Sequence, residues 1–387
     1  MAMNLLGIHM SLMIGSRMTV PPIAPPRLSE ALERVEVSYS DQGRSGFQLS
    51  FRMGRGLKDL LDYSLVTERL LKPINNRVVI VVYFNVSRHV LLDGIITNHQ
   101  LSPSNDPGAA TLTVTGEDVG LVMNLEEKRQ MQPWSDIVCI ESILKNYSYL
   151  GFTLCDDNVS DPARQAPSET AQQPTQAGIT DLAYIQSLAG RYGYRFYITP
   201  GPIPGSNRVY WGGQNRKGPS QKALSANMGP HTNVDSISFQ YDALGPSRFG
   251  YFQNDQKQTP ISQGSSERLQ SPLAGETVPV HRTSALEDTG LYSQMADESV
   301  AGKLAQARFD TLLNDPITGS GELDAMRYGG ILEIGKLVDV RGVGRSYDGT
   351  YYVKSVNHRI DVRKKEYKQG FTLTRDGFGP VSPRVSV

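Results

Sequence analysis

The chain has 387 residues, 39 basic and 39 acidic, so it carries no net field that would draw it to nucleic acid or to an anionic membrane. A hydrophobic share of 39% beside 37 glycines and 23 prolines describes a globular, turn-rich, strand-leaning chain of about two to three domains. Cys139 and Cys155 are too few and too isolated for a disulfide framework or a zinc site and are expected as plain thiols.

Residues 1–18 are mildly apolar, but His9 and Arg17 interrupt them and no leader pattern of basic head, apolar run and small-residue cleavage site is present. No run of about 18 apolar residues could span a bilayer, so a chain made in the cytoplasm, without direct membrane insertion, is expected. Residues 32–115 carry a β signal. Val35, Val37 and Tyr39 alternate with polar residues, as do Phe47, Leu49, Phe51 and Met53, with Gly43 and Gly46 at the turn between them. Residues 77–84 (RVVIVVYF) suit a strand buried on both faces, and residues 90–100 and the stretch around Leu112 and Val114 complete about five antiparallel strands.

An α+β stretch follows. Ser135 can cap a helix carrying Ile137, Ile140, Ile143, Leu144 and Tyr147 on one stripe. Thr180 opens a second helix with Leu182, Ile185, Leu188, Ala189 and Tyr192 on one face, stopped by Gly193, and strands are expected at 194–198 and 209–211. Between the helices, residues 158–178 lack large apolar side chains and predict a mobile linker. In the second half Ile237, Phe239 and Tyr241 alternate, residues 253–288 predict a long polar loop, and residues 291–314 predict a helix ended by Pro316. Strands resume at 332–343, 350–362 and 367–374.

Parts of the chain echo one another. Asp93-Gly94, Asn98-His99 and Thr111-Leu112-Thr113 before Gly116 recur as Asp348-Gly349, Asn357-His358 and Thr372-Leu373-Thr374 before Gly377. The echo predicts two related β-barrels, an arrangement that lets a subunit match a ring with twice its own copy number.

Catalytic and cofactor motifs are missing by the same reading. His9, His89, His99, His231, His281 and His358 form no ligand pair, and the glycine pairs Gly54/Gly56 and Gly342/Gly344 lack their third glycine, at Asp59 and Tyr347. Glu117, Asp118, Glu126 and Glu127 flank a short helical stretch at 117–123, and a solvated face explains them better than a glycosidase acid pair. Arg363, Lys364 and Lys365 fit a solvated hairpin turn. No catalytic, cofactor or metal residue is therefore expected.

Residues 71–84 (LKPINNRVVIVVYF), 92–104 (LDGIITNHQLSPS), 111–123 (TLTVTGEDVGLVM), 181–196 (DLAYIQSLAGRYGYRF) and 348–379 together resemble the late control protein D, or baseplate hub, family of contractile phage tails and phage-tail-like injection systems. The resemblance implies a mainly β fold with α+β: two tail-tube-type β-barrels, at 1–125 and 233–387, with an α+β insert at 126–232 between them. It implies a homotrimeric, non-enzymatic adaptor between a hexameric inner tube and a trimeric spike, touching other baseplate components in an assembled tail or tail-like particle. As the chain ends at Val387, soon after the last strand, a separate spike protein is expected. Two rivals are a tail-associated enzyme degrading cell-wall glycan, and a carbohydrate-binding protein stacking sugars on Tyr194, Tyr197, Tyr210 and Trp211.

Overall fold

The computed structural model describes residues 3–5, 8–53, 69–84, 87–104, 109–131, 136–155, 175–242, 249–254, 260–266, 273–277, 290–291 and 315–380. The first sheet is formed by β1 (Met3–Leu5), β2 (Ile8–Ser16), β3 (Leu32–Ser40), β4 (Gly46–Met53), β5 (Asn76–Phe84), β6 (Ser87–Ser102) and β7 (Ala110–Asp118). The alternating residues expected inside are inside: Val35, Val37, Leu49 and Phe51 are wholly buried. β5 is buried on both faces: Val78, Ile80 and Val82 enter the main core on one, and Val79 and Val81 are buried on the other. The sequence reading places no strand at the N-terminus, yet Ile8, Met10, Leu12 and Ile14 alternate inward along β2, which pairs with β5 over its whole length.

The insert contains β8 (Glu127–Met131), the helix Asp136–Lys145, β9 (Phe152–Leu154), β10 (Thr175–Thr180), the helix Asp181–Tyr192, β11 (Arg195–Pro200) and β12 (Asn207–Gly212). Both helices lie where their stripes placed them. Thr180 Oγ1 accepts from the Ala183 amide at 3.2 Å, and Gly193 ends the second helix in the left-handed region. Ser135 lies outside the described residues. Ile140, Ile143, Ile185, Leu188 and Trp211 build a core of their own around the short 3-10 helix Val119–Asn124, so the helical stretch expected at 117–123 begins two residues later. The expected linker needs correction at its end: residues 175–178 belong to β10, which pairs with β8. Polar contacts hold that strand, since buried Gln176 donates to Ile179 O and to the buried Asp181 carboxylate. Residues 158–174 lie outside the described residues.

The last third adds β13 (Ser220–Ser225), β14 (Val234–Tyr241), β15 (Phe249–Asn254), β16 (Pro260–Ser266), β17 (Ala274–Thr277), β18 (Gly290–Leu291), β19 (Ile317–Asp324), β20 (Leu337–Arg341), β21 (Gly349–Asp361), β22 (Glu366–Arg375) and β23 (Gly377–Pro380). The loop expected at 253–288 is partly strand: β15 pairs with β16, and β17 pairs with β23. Backbone ladders need no apolar stripe, which is why composition did not show them. Of the helix expected at 291–314, Leu291 ends β18 and the rest lies outside the described residues. The strand expected to begin at 332 begins at Leu337, after a left-handed Gly335.

The chain is thus mainly β with an α+β insert, and its two curled sheets repeat one plan. The first runs β5-β6-β7-β4-β3 and the second β20-β21-β22-β19-β14, every neighbour antiparallel. Registers agree as well. β6 bulges at Thr97 against β7 as β21 bulges at Lys354 against β22. Aligning these bulges lays Ile96↔Gly116 on Val353↔Leu373, Ile95↔Arg77 on Tyr352↔Leu337, and Val37↔Phe47 on Phe239↔Gly319. A second pair of bulges, at Glu33 and Asp235, then coincides without further shift. The sixth position differs, because β2 runs antiparallel to β5 whereas β13 runs parallel to β20.

The strand plan is repeated, but the sequence echo points to it in the wrong register. Asn98-His99 corresponds to Ser355-Val356 and not to Asn357-His358, and Thr111-Leu112-Thr113 corresponds to Lys368-Gln369-Gly370. The two sheets fill the matching space differently. Phe47 lies over Gly94 and Gly116, where an added Cβ would meet its ring at 2.8 and 2.3 Å. The matching places in the second sheet hold Gly319, Tyr351 and Leu373, so there the glycine is on the strand matching that of Phe47 and large residues stand on the other two.

Just before β5, Ile74 (φ 64) donates its amide to Ile96 O at 2.7 Å, and before β20, Gly335 (φ 73) donates to the matching Val353 O at 2.9 Å. An added Cβ on Gly335 would lie 1.8 Å from the Tyr197 hydroxyl. Gly335→Ala should therefore cost about 2 kcal/mol or more through backbone and packing strain. Adding Tyr197→Phe should return part of the loss. Thermal denaturation of the two variants checks this, and an unchanged midpoint in the single variant would contradict the geometry.

Candidate assembly surface

The two sheets meet edge to edge within the chain. β3, the last strand of the first sheet, pairs antiparallel with the distal half of β21, from Ser40↔Ser355 through Val37↔His358 to Arg34↔Asp361. Inward along this seam stand Val35, Val37, Tyr39, Val356, His358 and Ile360, all between 0% and 7% exposed. On its outer face Arg34 meets Asp361 and Glu36 meets Arg359, each at 3.8 Å. Tyr367 and His358 Nδ1 share a hydrogen bond of 3.0 Å in the core, where burial holds the imidazole neutral by lowering its pKa to about 3.

The corresponding edges at the other ends are open among the described residues. β14 pairs with β19 alone, and residues 98–102 of β6 pair with β7 alone. Ile237, Phe239 and Tyr241 on the one, and His99 and Leu101 on the other, are half-buried where their counterparts across the internal seam are buried.

The residues singled out for chemistry are dispersed. Glu117 pairs with Arg44 at 3.1 Å, while Glu126 and Glu127 are exposed. Asp118 Oδ1 accepts from the Gly120 amide at 2.7 Å, and desolvation pushes its carboxyl up to about 7. The four aromatics of the sugar-stacking reading divide between two faces of β11 and β12: Tyr197 stacks on Tyr210 at 4.8 Å, while Tyr194 meets Trp211 edge-on at 4.9 Å beside Tyr192. Trp211 and Tyr197 are buried, which leaves no continuous platform. Cys139 is buried and Cys155 half-buried, with no disulfide between them. His89 packs edge-on against Phe84, His9 and His99 are half-buried, His231 is exposed, and His281 lies outside the described residues. Gly54 and Gly56 also lie outside them, and Arg363 and Lys364 donate their amides to Asp361 in the hairpin before β22. Among the described residues no three metal-ligating side chains lie together, and no helix is long and apolar enough to cross a membrane.

A groove of about 830 Å³ is lined by both sheets and the insert, with Tyr39, His89, Tyr197, Arg208, Tyr210 and Leu332 among its walls. Among the described residues Glu333 is the single carboxylate on its wall.

The sequence identifies most strands that form this surface and misses the surface itself. An edge strand and a central strand carry the same alternation, so only pairing distinguishes them.

No protein-family model matches the chain, and no curated protein is similar to it in sequence. Solved structures do match it. A tail protein from Neisseria meningitidis MC58 superposes with a TM-score of 0.64 at 13% identity, over 96% of this chain and 98% of that one. The 43 kDa tail protein of prophage MuSo2 from Shewanella oneidensis gives 0.59 at 13% identity, over 96% and 99%. The E. coli c3393 protein, a type VI secretion component described as similar to T4 bacteriophage tail proteins gp27 and gp5, gives 0.53 at 13%, over 91% and 77%. The fold is the one these tail and secretion proteins share.

Proposed function

We propose that the chain is a structural baseplate hub of a contractile injection machine, three copies of which join a hexameric inner tube to a trimeric spike. The observation that carries this reading is the repeated sheet: the same five-strand order, the same registers and the same two bulges occur twice per chain. Three copies then present six similar units to a sixfold ring while keeping the threefold symmetry a spike requires. The shared fold with phage tail proteins and with a type VI secretion component supports it. In this reading, units at about 1–125 and 233–387 form the ring, the insert at 126–232 lies on its flank, and the protein is part of an assembled tail-like particle. No step of the role calls for catalysis or a cofactor.

Averaged images of the particle tip, or the native mass of the hub with its spike, should show three copies in one layer. Six copies, or a stable monomer on the spike, would overturn the adaptor reading. Glycan clearing by the purified chain in a zymogram would favour a tail-associated hydrolase instead.

A further inference from the structure

The geometry points to a second seam, between copies of the chain, in which β14 of one copy pairs antiparallel with residues 98–102 of β6 of the next in a register that the internal seam dictates. The inference deepens the ring reading and rests on it only for the number of copies.

Three observations carry it. First, β14 occupies in the second sheet the place of β3, and β6 occupies in the first sheet the place of β21, with bulges and registers coincident. β3 and β21 are joined inside the chain, while β14 and the distal half of β6 are both open among the described residues. Transferring the internal register residue by residue sets Tyr241 opposite His99, Gln240 opposite Gln100, Phe239 opposite Leu101, and Ser238 opposite Ser102. Pro103 follows and has no amide to donate, so the ladder ends there.

Second, both open edges fall short of full burial at the same row of side chains. Tyr39, Val37 and Val35 are 7%, 0% and 0% exposed, whereas their counterparts Tyr241, Phe239 and Ile237 are half-buried. Val356 and His358 are 1% and 2% exposed, and their counterparts His99 and Leu101 are half-buried. A neighbouring strand on each edge would complete the burial. His99 Nδ1 is in addition a buried nitrogen without a hydrogen-bond partner among the described residues, and the seam brings the hydroxyl-bearing Tyr241 directly opposite it.

Third, past the bulge at Asp235, β14 carries no further device that protects a free edge. Between its bulge and its end, residues 236–241 hold no charge, no proline and no inward-facing polar group, which makes an unpaired β14 an invitation to another chain. A second copy is the partner that offers the matching edge. Each copy gives β14 on one side and takes it on β6 at the other, so the contact is head to tail and closes when the ring is complete.

The outer face of the two seams differs in chemistry. The internal one is fastened by Arg34–Asp361 and Glu36–Arg359 ion pairs, whereas the one between copies sets Gln240 against Gln100 and Ser238 against Ser102. Charges belonging to the internal seam therefore find no partner at the other, which keeps β3 for its own chain. The same register sets Asp242 opposite Asn98 and makes no ion pair across the seam, so association should depend little on ionic strength.

The test is cross-linking of the full chain carrying Cys155→Ser, with Gln100→Cys and Gln240→Cys together and each alone. Within one copy these two positions are separated by six intervening strands, β7, β4, β3, β21, β22 and β19, so a bond between them joins copies. A short thiol-reactive linker should convert the double variant to covalent dimers and trimers at low and high salt alike. The single variants and the displaced pair Gln100→Cys/Ser236→Cys should stay uncoupled. A native trimer that never couples through positions 100 and 240 would overturn the seam and leave the ring reading standing. Coupled species beyond three chains would support the seam and overturn the ring of three. A monomer without coupling would overturn both.

Discussion

Asp93→Leu should cost about 3–5 kcal/mol, a large part of the stability of an ordinary domain, because it strands the Arg77 guanidinium in the interior. Arg77 Nε and Nη2 donate to the two Asp93 oxygens at 2.5 and 2.6 Å, and both side chains are wholly buried where β5 and β6 meet the insert. Asn207 Nδ2 spans the same joint, donating to Asp93 Oδ2 at 3.1 Å and to Leu150 O at 2.8 Å, so the loss should also loosen the insert from the first sheet. The chain supplies its own control. Leu337 and Thr350 occupy the corresponding positions in the second sheet, and Leu337 packs there against Leu273 and Tyr352. Arg77→Leu with Asp93→Thr should therefore recover most of the stability, since a well-packed apolar group is often as good as a buried ion pair. Urea denaturation of wild type, single and double variants decides it: a single variant within about 1 kcal/mol of wild type would show that the pair is not what holds this joint.

Acid should destabilise the internal seam through His358. Its folded pKa is depressed to about 3 by burial, against an ordinary value of 6.5. Between those values the unfolded chain binds a proton that the folded chain does not, so the stabilising contribution is complete above about pH 6.5 and declines as pH falls toward 3. Each pH unit of that interval corresponds to roughly 1.4 kcal/mol, so the loss is on the order of a few kcal/mol. Asp41 and Asp118 work in the opposite direction. Desolvation raises their carboxyls to about 6 and about 7, and each contributes stability at low pH that is lost as pH rises through those values. A comparison of variants separates the histidine from them. His358→Leu combined with Tyr367→Phe removes both partners of the buried hydrogen bond, and leucine is already the residue at the matching position, Leu101. Thermal midpoints measured from pH 7 to pH 4 should show the double variant gaining on wild type as the pH drops. A constant difference across that range would mean that His358 is not the acid-labile group.

Local pattern determined a good deal about this protein. The inward rows Val35-Val37-Tyr39 and Phe47-Leu49-Phe51, the doubly buried strand Asn76–Phe84, and the helix between Thr180 and Gly193 were all legible, because side-chain period and capping chemistry act over a few residues. Pairing was not legible, since a strand does not specify its neighbours by its own alternation. Thr175–Thr180, Phe249–Asn254 and Pro260–Ser266 look like polar loops until a partner strand satisfies their backbone groups. The repeated strand plan is signalled by matching letters that fall two to four residues out of register, while the true correspondence sets Phe47 against Gly319 and Arg77 against Leu337. Composition shows which residues seek the interior. Only the tertiary structure decided that β3 meets β21 and that β14 and the end of β6 are open among the described residues, because edges exist only once every strand has found its place.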